Sequence, residues 1–378
     1  MTSHIRRLLV AVAAVAVGSS GGAQSRDPLA PLPNATPQQT KPQPRPTYQP
    51  QPQAQQRAPM IGAAVPSGLR DEINRIGRSF DGKAGIAVVN LNDGWEAGWN
   101  STLLFPQQSC SKLWVAITTL DAVDRGQLSL TDRVTLSRSD LTLFHQPLAA
   151  KILGGGHSTT LGSLLFTAIT ESDNTANDKL MRAAGGPDAV RTMIQRKGIG
   201  AVRFFDGERS LQSKIAGLTW SQSYSIGDAF YKARSALPMP LRRASFERYL
   251  SDPYDGAAPH AVAMALARLK RGELLSPDST ARLLRTMGQT RTGKARVRAA
   301  LAPGWSWNHK TGTGQVLGGR IGGINDIGLL TAPDGTVYAM ALMSIPNRSN
   351  GQAQGMMQSV TKAIIAAHAQ RRGGYSAR

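Results

Sequence analysis

The chain of 378 residues can hold one large domain or two closely joined ones, and its 44 lysines and arginines against 24 acidic residues give a formal net charge of +20. The basic residues are scattered along the chain, which favours a solvated surface over a nucleic-acid-binding patch. The single cysteine, Cys110, excludes an intramolecular disulfide and a cysteine-based zinc site, and the histidines lack metal-ligand spacing, so we expect neither metal nor cofactor.

The first 66 residues are predicted to lie outside the folded domain. Residues 1–23 combine a basic start, an apolar run and a small-residue exit, which is the pattern of a secretory signal peptide. Residues 24–66 are rich in proline and glutamine and predict a disordered linker. The apolar run is too short to span a bilayer stably, and no cysteine follows it. We therefore expect a periplasmic or secreted protein without a stable membrane anchor.

Residues 67–371 are predicted to form one domain built from both ends of the chain. Helical periodicity marks both ends of this domain, at 69–80 and 353–368. Strands are predicted in two groups, at 86–91, 95–99, 305–311, 322–330 and 336–343. Helical patterns dominate between them, at about 111–300. The expected fold is α+β, with an antiparallel five-stranded sheet from both termini, flanked by helices, and an all-helical subdomain inserted.

The segment from Ser109 to Lys112 joins an extended stretch to an apolar helical pattern. Residues three apart share a helix face, so Lys112 is expected beside the Ser109 hydroxyl. A lysine kept partly neutral by burial and nearby positive charge could be the base that a serine nucleophile needs. Alone, the pair is weak, since a serine helix cap beside a solvated lysine is common. Cys110, between them, is expected to be a buried packing residue.

Two further motifs supply possible partners for this serine. Ser172 and Asn174 lie two residues apart on a predicted turn and could act as proton relay and amide reader. Lys310, Thr311 and Thr313 lie at a predicted strand end among glycines, where a cation and two hydroxyls can bind an anion. The three motifs in this order predict an active site.

With these motifs, the chain from about 67 to 368 resembles the penicillin-recognising serine hydrolases, and class A β-lactamases most closely. The resemblance implies a β-lactamase/transpeptidase-like fold and an acyl-enzyme on Ser109, with Lys112 as base or proton relay. Ser172 would pass the proton to the leaving nitrogen, and Asn174 would read the substrate's side-chain amide. The expected substrates are small β-lactams or peptidoglycan stem peptides.

The resemblance also assigns the anion site and the oxyanion hole. Lys310 would hold the relay serine and the substrate carboxylate electrostatically, while Thr311 and Thr313 would bind that carboxylate. The backbone N–H groups of Ser109 and Thr313 would stabilise the oxyanion. Two arginines, Arg320 and Arg348, are equal candidates for the family's carboxylate-binding arginine.

A glutamate that activates the deacylating water distinguishes class A β-lactamases from the wall transpeptidases. The class spacing places it at Glu208. If this segment makes a helical turn, Gln212 projects from the same face and could hold the water with Glu208. The family has an asparagine where this chain has Gln212, and the longer side chain could crowd the water and slow deacylation.

Two departures from the class pattern concern the loop that carries this glutamate. The family's loop opens with an arginine that pairs with an aspartate, but here Asp206 faces Asp255, so we expect that clasp to be missing. An insertion at about 213–252 contains helical stretches at 228–236 and 241–250. A loop this long is usually functional, and we expect it to wall the active site. Opposite the nucleophile, Phe144 or His145 is expected to form an aromatic gate, with plain packing as the alternative.

The sequence therefore predicts a secreted, monomeric serine hydrolase that opens β-lactam rings through Ser109, deacylated by a water that Glu208 activates. Two alternatives stay open. A D-Ala-D-Ala carboxypeptidase or esterase on the same scaffold would be favoured if β-lactams acylate Ser109 without turnover. A non-catalytic wall-binding protein would be favoured by salt-sensitive wall binding that survives Ser109→Ala.

Overall fold

A computed structural model describes residues 63–348 and 350–376, with side chains up to residue 370. The predicted signal peptide and residues 24–62 of the predicted linker lie outside the described residues. The last linker residues, 63–66, run along the domain: the Ala63 N–H donates to Asp93 O at 2.9 Å, and Val65 packs against buried apolar residues. Contact with the domain therefore begins before Ser67.

Helices and strands are numbered in chain order. The α-helices are α1 (Leu69–Arg78), α2 (Lys112–Asp124), α3 (Ala149–Leu153), α4 (Leu161–Thr170), α5 (Asn174–Ala183), α6 (Gly186–Arg196), α7 (Gly207–Ile215), α8 (Ala229–Ala236), α9 (Met239–Ser251), α10 (Pro259–Lys270), α11 (Pro277–Gly288) and α12 (Asn350–Ser376). The strands are β1 (Gly82–Asn90), β2 (Glu96–Trp99), β3 (Phe105–Pro106), β4 (Arg133–Leu136), β5 (His157–Thr160), β6 (Gly256–Ala257), β7 (Ser306–Thr313), β8 (Val316–Leu317), β9 (Arg320–Ile321), β10 (Ile324–Thr331) and β11 (Val337–Pro346).

The main sheet joins both ends of the domain. Its five antiparallel strands lie in the order β2-β1-β11-β10-β7. Strand β1 pairs with β11 along its whole length, from Gly82 opposite Pro346 to Asn90 opposite Tyr338. Strand β7 lies at the edge and pairs with β10, which places Lys310 opposite Ile327. The predicted α+β class and the five-stranded antiparallel sheet from both termini are confirmed.

The sheet is buried on both faces. In β1, Ile86 and Val88 join the core under α1 and α12, while Ala87 and Val89 join the larger core shared with the helical subdomain. Successive side chains of a strand point to opposite faces, and burial on both explains why β1 is almost continuously apolar. This packing fixes the position of β7, which carries Lys310.

The helical subdomain contains more strand than the sequence predicted. Strands β4 and β5 form a two-stranded antiparallel sheet inside it, and β3 pairs with β6. Strands of two to four residues carry too little periodicity to be told from turns. Within the predicted helical region, a break at residues 171–173 separates α4 from α5. Asp173 ends the break by capping α5, where its Oδ1 accepts from the Ala176 N–H at 2.7 Å.

The insertion at 213–252 contains α8 and α9 close to the predicted helical stretches. Arg203, just before the insertion, is joined to residues at its end. Its Nη1 lies 2.5 Å from Asp252 Oδ1, and its backbone N–H donates to Gly256 O at 2.7 Å.

Among the described residues, no helix is long and apolar enough to cross a membrane.

Candidate active site

Lys112 is the centre of the candidate site. It begins α2, directly after a 3-10 turn formed by Gln108–Ser111, and its side chain is fully buried. Its Nζ donates to Ser109 Oγ and to Asn174 Oδ1, both at 2.9 Å, and contacts Glu208 Oε1. A buried ammonium must be paired and hydrogen-bonded, and these acceptors come from three separate segments. One atom, the Nζ of Lys112, therefore contacts the nucleophile candidate Ser109, the amide reader Asn174 and the glutamate Glu208.

Glu208 is held in place by a buried aspartate that the sequence analysis missed. Asp178 Oδ1 accepts from the backbone N–H of Glu208 at 2.9 Å, at the first turn of α7. Burial and the nearby Glu208 carboxylate raise the pKa of Asp178. Gly207 has a φ of +83°, and a Cβ there would meet Asp178 Oδ1 at 3.0 Å. Spacing in the sequence could have pointed to Asp178, because it follows Asn174 by one helical turn and so shares a helix face with it.

Gln212 shares a face of α7 with Glu208, as predicted, but it contacts the glutamate directly. Its Nε2 lies 3.2 Å from both Glu208 Oε2 and Gln108 Oε1. Its Oε1 accepts from Gln315 Nε2 at 3.0 Å. Both ends of the amide are therefore engaged by protein groups.

Ser172 and Lys310 meet on the other side of the nucleophile. Ser172 has a φ of +62°, a conformation that non-glycine residues rarely adopt outside functional turns. Lys310 is fully buried and donates from Nζ to Ser172 Oγ and to Thr311 O, both at 2.8 Å. Burial, then the charge of Lys112, lower the pKa of Lys310 to about 7. A bound anion beside Lys310 would favour the charged form again.

The two threonines of the anion site are bound by side chains outside the predicted motifs. The Oγ1 atoms of Thr311 and Thr292 lie 2.6 Å apart, and Thr313 Oγ1 accepts from Arg296 Nη2 at 2.6 Å. Arg296 is buried, and its Nη1 donates to Gly312 O at 3.0 Å. Burial lowers the pKa of Arg296. The structure therefore brings a buried guanidinium to the strand end where the substrate carboxylate was expected.

Neither arginine that the sequence analysis named takes this position. Arg320 Nη1 donates to both carboxylate oxygens of Glu247, at 2.5 and 2.7 Å, and Arg348 pairs with Asp81. Arg296 lies in the loop before β7, where no motif marks it. Only the fold brings that loop beside Thr313, so sequence spacing could not select it.

Asp206 and Asp255 stand at the two positions of the family's arginine–aspartate clasp, and each binds a different residue of this chain. Asp206 pairs with Arg191 at 3.0 Å. Asp255 is buried; its Oδ1 accepts from the Tyr249 hydroxyl at 2.9 Å and its Oδ2 from the Gln108 N–H at 2.7 Å. Burial raises the pKa of Asp255 to about 7. A neutral hydroxyl from the insertion therefore binds the aspartate where the family pattern supplies an arginine.

Helix α8 of the insertion contacts both Phe144 and Gln315. Phe144, with 37% of its surface exposed, packs edge-on against Phe230 of α8 with ring centroids 5.0 Å apart. Arg234, also on α8, donates to Gln315 Oε1 at 3.2 Å. His145, the other gate candidate, is bonded through Nε2 to Glu171 O at 2.7 Å. Phe144 is therefore the gate candidate that contacts the insertion.

Cys110 is a packing residue in the structure. Its side chain is fully buried with Sγ 3.5 Å from Lys310 O, and burial raises the pKa of the Cys110 thiol to about 12. A thiol with so high a pKa is protonated and unreactive near neutral pH. Within the described residues, no group of three or more histidine, cysteine, aspartate or glutamate side chains could hold a metal ion.

Comparisons with known proteins identify relatives of the whole domain. The model of the β-lactamase enzyme family matches residues 68–368. The β-lactamase CTX-M-97 of Escherichia coli is 27% identical over 267 residues, which cover 71% of this chain and 77% of the relative. The extended-spectrum β-lactamase PER-1 of Pseudomonas aeruginosa is 27% identical over 275 residues, 72% and 78% of the two chains.

Solved structures agree with these relatives. A β-lactamase from Chitinophaga pinensis superposes with a TM-score of 0.66 and 25% identity, covering 79% of this chain and 99% of that one. The TLA-3 extended-spectrum β-lactamase gives a TM-score of 0.65 over 79% and 98% of the chains; at 23% identity it supports the fold alone. The predicted β-lactamase-like fold is confirmed.

Proposed function

The chain belongs to the β-lactamase enzyme family, as a class A-like serine hydrolase, and from this we propose that it hydrolyses β-lactams in two steps through an ester on Ser109. The observation that carries the proposal is the buried Lys112 ammonium, which contacts Ser109, Asn174 and Glu208 together. If Ser109 were only a helix cap and Lys112 a solvated surface lysine, the lysine would not be buried against three acceptors.

In the proposed first step, Ser109 Oγ attacks the β-lactam carbonyl carbon. Lys112, 2.9 Å from Ser109 Oγ, acts as the proton relay: its ammonium passes a proton to Glu208, and the amine then takes the hydroxyl proton of Ser109. The carbonyl C–N bond then breaks, and Ser172 Oγ delivers its proton to the leaving nitrogen. Ser172 is reprotonated by the proton taken from Ser109, and Glu208 returns its proton to Lys112, which leaves Glu208 ionised for the second step. Lys310, 2.8 Å from Ser172 Oγ, supports that transfer electrostatically. The backbone N–H groups of Ser109 and Thr313 stabilise the oxyanion, as the resemblance implies.

Arg296 is proposed to complete the substrate-carboxylate site. The guanidinium fixes the Thr313 hydroxyl, and Lys310 and Thr311 lie on the same strand. Substrate carboxylates are recognised most strongly by charge-assisted hydrogen bonds, which a buried arginine and lysine can supply together. Asn174, whose Oδ1 accepts from Lys112, would present its amide to the acyl side chain of the substrate.

In the proposed second step, Glu208 takes a proton from a water that attacks the Ser109 ester. The ester C–O bond breaks, and the serine recovers its proton. Lys112 contacts Glu208 Oε1, and Gln212 donates to Glu208 Oε2, so the carboxylate is held as a proton acceptor beside the ester. A positioned general base of this kind contributes about 10² to 10⁴ in rate.

The test is intact-mass spectrometry of the mature protein after mixing with benzylpenicillin, alongside absorbance of the β-lactam ring. The wild type should consume the ring with a transient adduct, and Glu208→Gln should accumulate one. Ser109→Ala should form no adduct. Normal turnover by the Glu208 variant would remove Glu208 from the mechanism, and an adduct on the Ser109 variant would contradict the choice of nucleophile.

A wall-peptide carboxypeptidase is the second candidate, and one observation favours it. The Gln212 amide donates to Glu208 and accepts from Gln315, so the space that a deacylating water needs is partly taken by protein hydrogen bonds. A wild-type adduct that persists without loss of ring absorbance would support this candidate. Release of D-alanine from a stem peptide ending in D-Ala-D-Ala would then identify the activity.

We also propose that the enzyme acts outside the cytoplasm, because residues 1–23 have the pattern of a signal peptide. Cell fractionation with N-terminal sequencing tests this point. Export with a mature start at Gln24 is expected, and full-length protein confined to the cytoplasm would contradict it.

A further inference from the structure

A continuous buried hydrogen-bond chain links the insertion to Glu208. The Tyr249 hydroxyl donates to Asp255 Oδ1 at 2.9 Å, and Gln108 Nε2 donates to the Tyr249 hydroxyl at 2.6 Å. Gln212 Nε2 lies 3.2 Å from Gln108 Oε1 and 3.2 Å from Glu208 Oε2. All five side chains are buried. None of the proton transfers proposed above passes through Tyr249 or Asp255.

The donors between Gln212 and Asp255 point the same way: Gln212 donates to Gln108, Gln108 donates to Tyr249, and Tyr249 donates to Asp255. The Gln212 amide nitrogen also donates in the other direction, to Glu208. Burial and the adjacent Asp255 raise the pKa of Tyr249 well above its usual value, which keeps its hydroxyl protonated as a donor. The Tyr249 hydroxyl therefore helps to set the orientation of the Gln108 amide. A reversed Gln108 amide would turn its NH₂ group toward the Gln212 donor.

Gln108 also has an unusual backbone, and the same partners hold it. Its φ is +53°, and it immediately precedes Ser109. The Gln108 N–H donates to Asp255 Oδ2 at 2.7 Å, and its Nε2 also donates to Gly322 O at 3.1 Å. Such a conformation persists only where surrounding contacts over-determine it. The backbone contact to Asp255 does not depend on the Tyr249 hydroxyl.

We propose that Tyr249, which the insertion supplies, is a positioning residue for deacylation. Its hydroxyl orients the Gln108 amide, and that amide holds Gln212 against Glu208. The inference rests on the proposed role of Glu208 and adds a function for α9, which otherwise only covers the site. It gives the insertion a part in turnover as well as in forming the wall of the cleft.

The arrangement separates the two chemical steps. The bonds from Lys112 to Ser109 and Asn174 do not pass through Tyr249, and the Asp255 bond to the Gln108 backbone survives its loss. Removing the hydroxyl should therefore leave acylation intact. Deacylation should slow, because the Gln108 amide loses an acceptor that orients it, and Gln212 then holds Glu208 less firmly.

The experiment compares Tyr249→Phe with Tyr254→Phe. The two rings pack with centroids 5.9 Å apart, but the Tyr254 hydroxyl is outside the chain to Glu208, so the second variant is a matched control. Acylation and deacylation rates are measured separately with benzylpenicillin by rapid-quench intact-mass spectrometry. For Tyr249→Phe we expect deacylation about tenfold slower and acylation unchanged, the size of effect expected for one oriented hydrogen bond. Tyr254→Phe should match the wild type.

Equal deacylation rates in Tyr249→Phe and the wild type would overturn the inference, as would equal losses in both steps, which indicate general damage. Glu208→Gln, measured in parallel, keeps the two proposals apart. If that variant accumulates adduct while Tyr249→Phe does not, only the positioning role fails. If Glu208→Gln turns over normally, the proposed function itself fails.

Gln108→Met provides a second route should Tyr249→Phe not fold. Methionine is similar in length and removes all three contacts of the side-chain amide while keeping the backbone N–H for Asp255. It should show the same selective loss of deacylation. The double variant should be no slower than Gln108→Met alone, because the two residues act in series. Additive losses, or acylation slowed as much as deacylation, would overturn the positioning role.

Discussion

Ionisation of Asp255 should cost the enzyme stability. Burial raises the pKa of Asp255 from its usual 3.8 to about 7, although Tyr249 and the Gln108 N–H both donate to it. Because the folded pKa is the higher one, the folded state binds this proton more tightly. The resulting stabilisation is complete below about pH 4 and is lost as pH rises through about 7. A difference of about 3 pH units corresponds to about 4 kcal/mol, or about 1.4 kcal/mol per pH unit within that window.

Urea unfolding of the wild type and Asp255→Asn at several pH values between about 5 and 8 measures this directly. Asparagine keeps one acceptor but turns an NH₂ group toward a donor, so the variant should be less stable than the wild type at about pH 5. The difference in free energy of unfolding should then shrink as pH approaches 7, since only the wild type has a carboxyl to ionise here. The other titrating groups are common to both proteins. Parallel pH dependences would refute the reasoning.

Arg296→Ala should raise KM for benzylpenicillin about tenfold or more while Ser109 still acylates, since a charged hydrogen-bond partner of the carboxylate site is lost; an unchanged KM would exclude Arg296 from substrate binding. Burial lowers the pKa of Lys310 to about 7, so kcat/KM should fall above that pH as the cation is lost, and Lys310→Arg should move the fall to higher pH. A flat profile in the wild type would contradict this. Gly312→Ala should lower the midpoint of thermal unfolding by several degrees, because its Cβ would meet Gln107 O at 2.3 Å; full stability would show that β7 can move away from the nucleophile turn.

The insertion contributes two kinds of contact to the site. Through Phe230 and Arg234, α8 touches Phe144 and Gln315. Through Tyr249, α9 reaches the buried residues behind Ser109. Contacts of the α8 kind, beside Phe144 and Gln315, should affect which substrates bind. Contacts of the α9 kind, next to the residue before Ser109, should affect the rate at which the ester is hydrolysed. Variants in α8 and α9 should therefore affect different kinetic constants.

The sequence determined the parts of this protein that depend on short spacing. Ser109 and Lys112 are three residues apart on one helical turn, and Glu208 and Gln212 are four apart on α7, so local helix geometry alone places each pair together. The alternation of β strands at both ends and helices between them likewise predicted one sheet from both termini, because apolar faces must be covered.

Only the tertiary structure decided which distant side chains complete the site. Arg296 rather than Arg320 or Arg348 binds Thr313, and Tyr249 binds Asp255, for which no partner was predicted. These contacts join segments whose relative positions depend on how the loop before β7 and the insertion fold back on the domain. The tyrosine hydroxyl satisfies a hydrogen bond of the buried aspartate but leaves its charge unpaired, and the pKa of Asp255 is accordingly raised to about 7. Spacing and composition do not encode that choice, which is why it appears only in the folded chain.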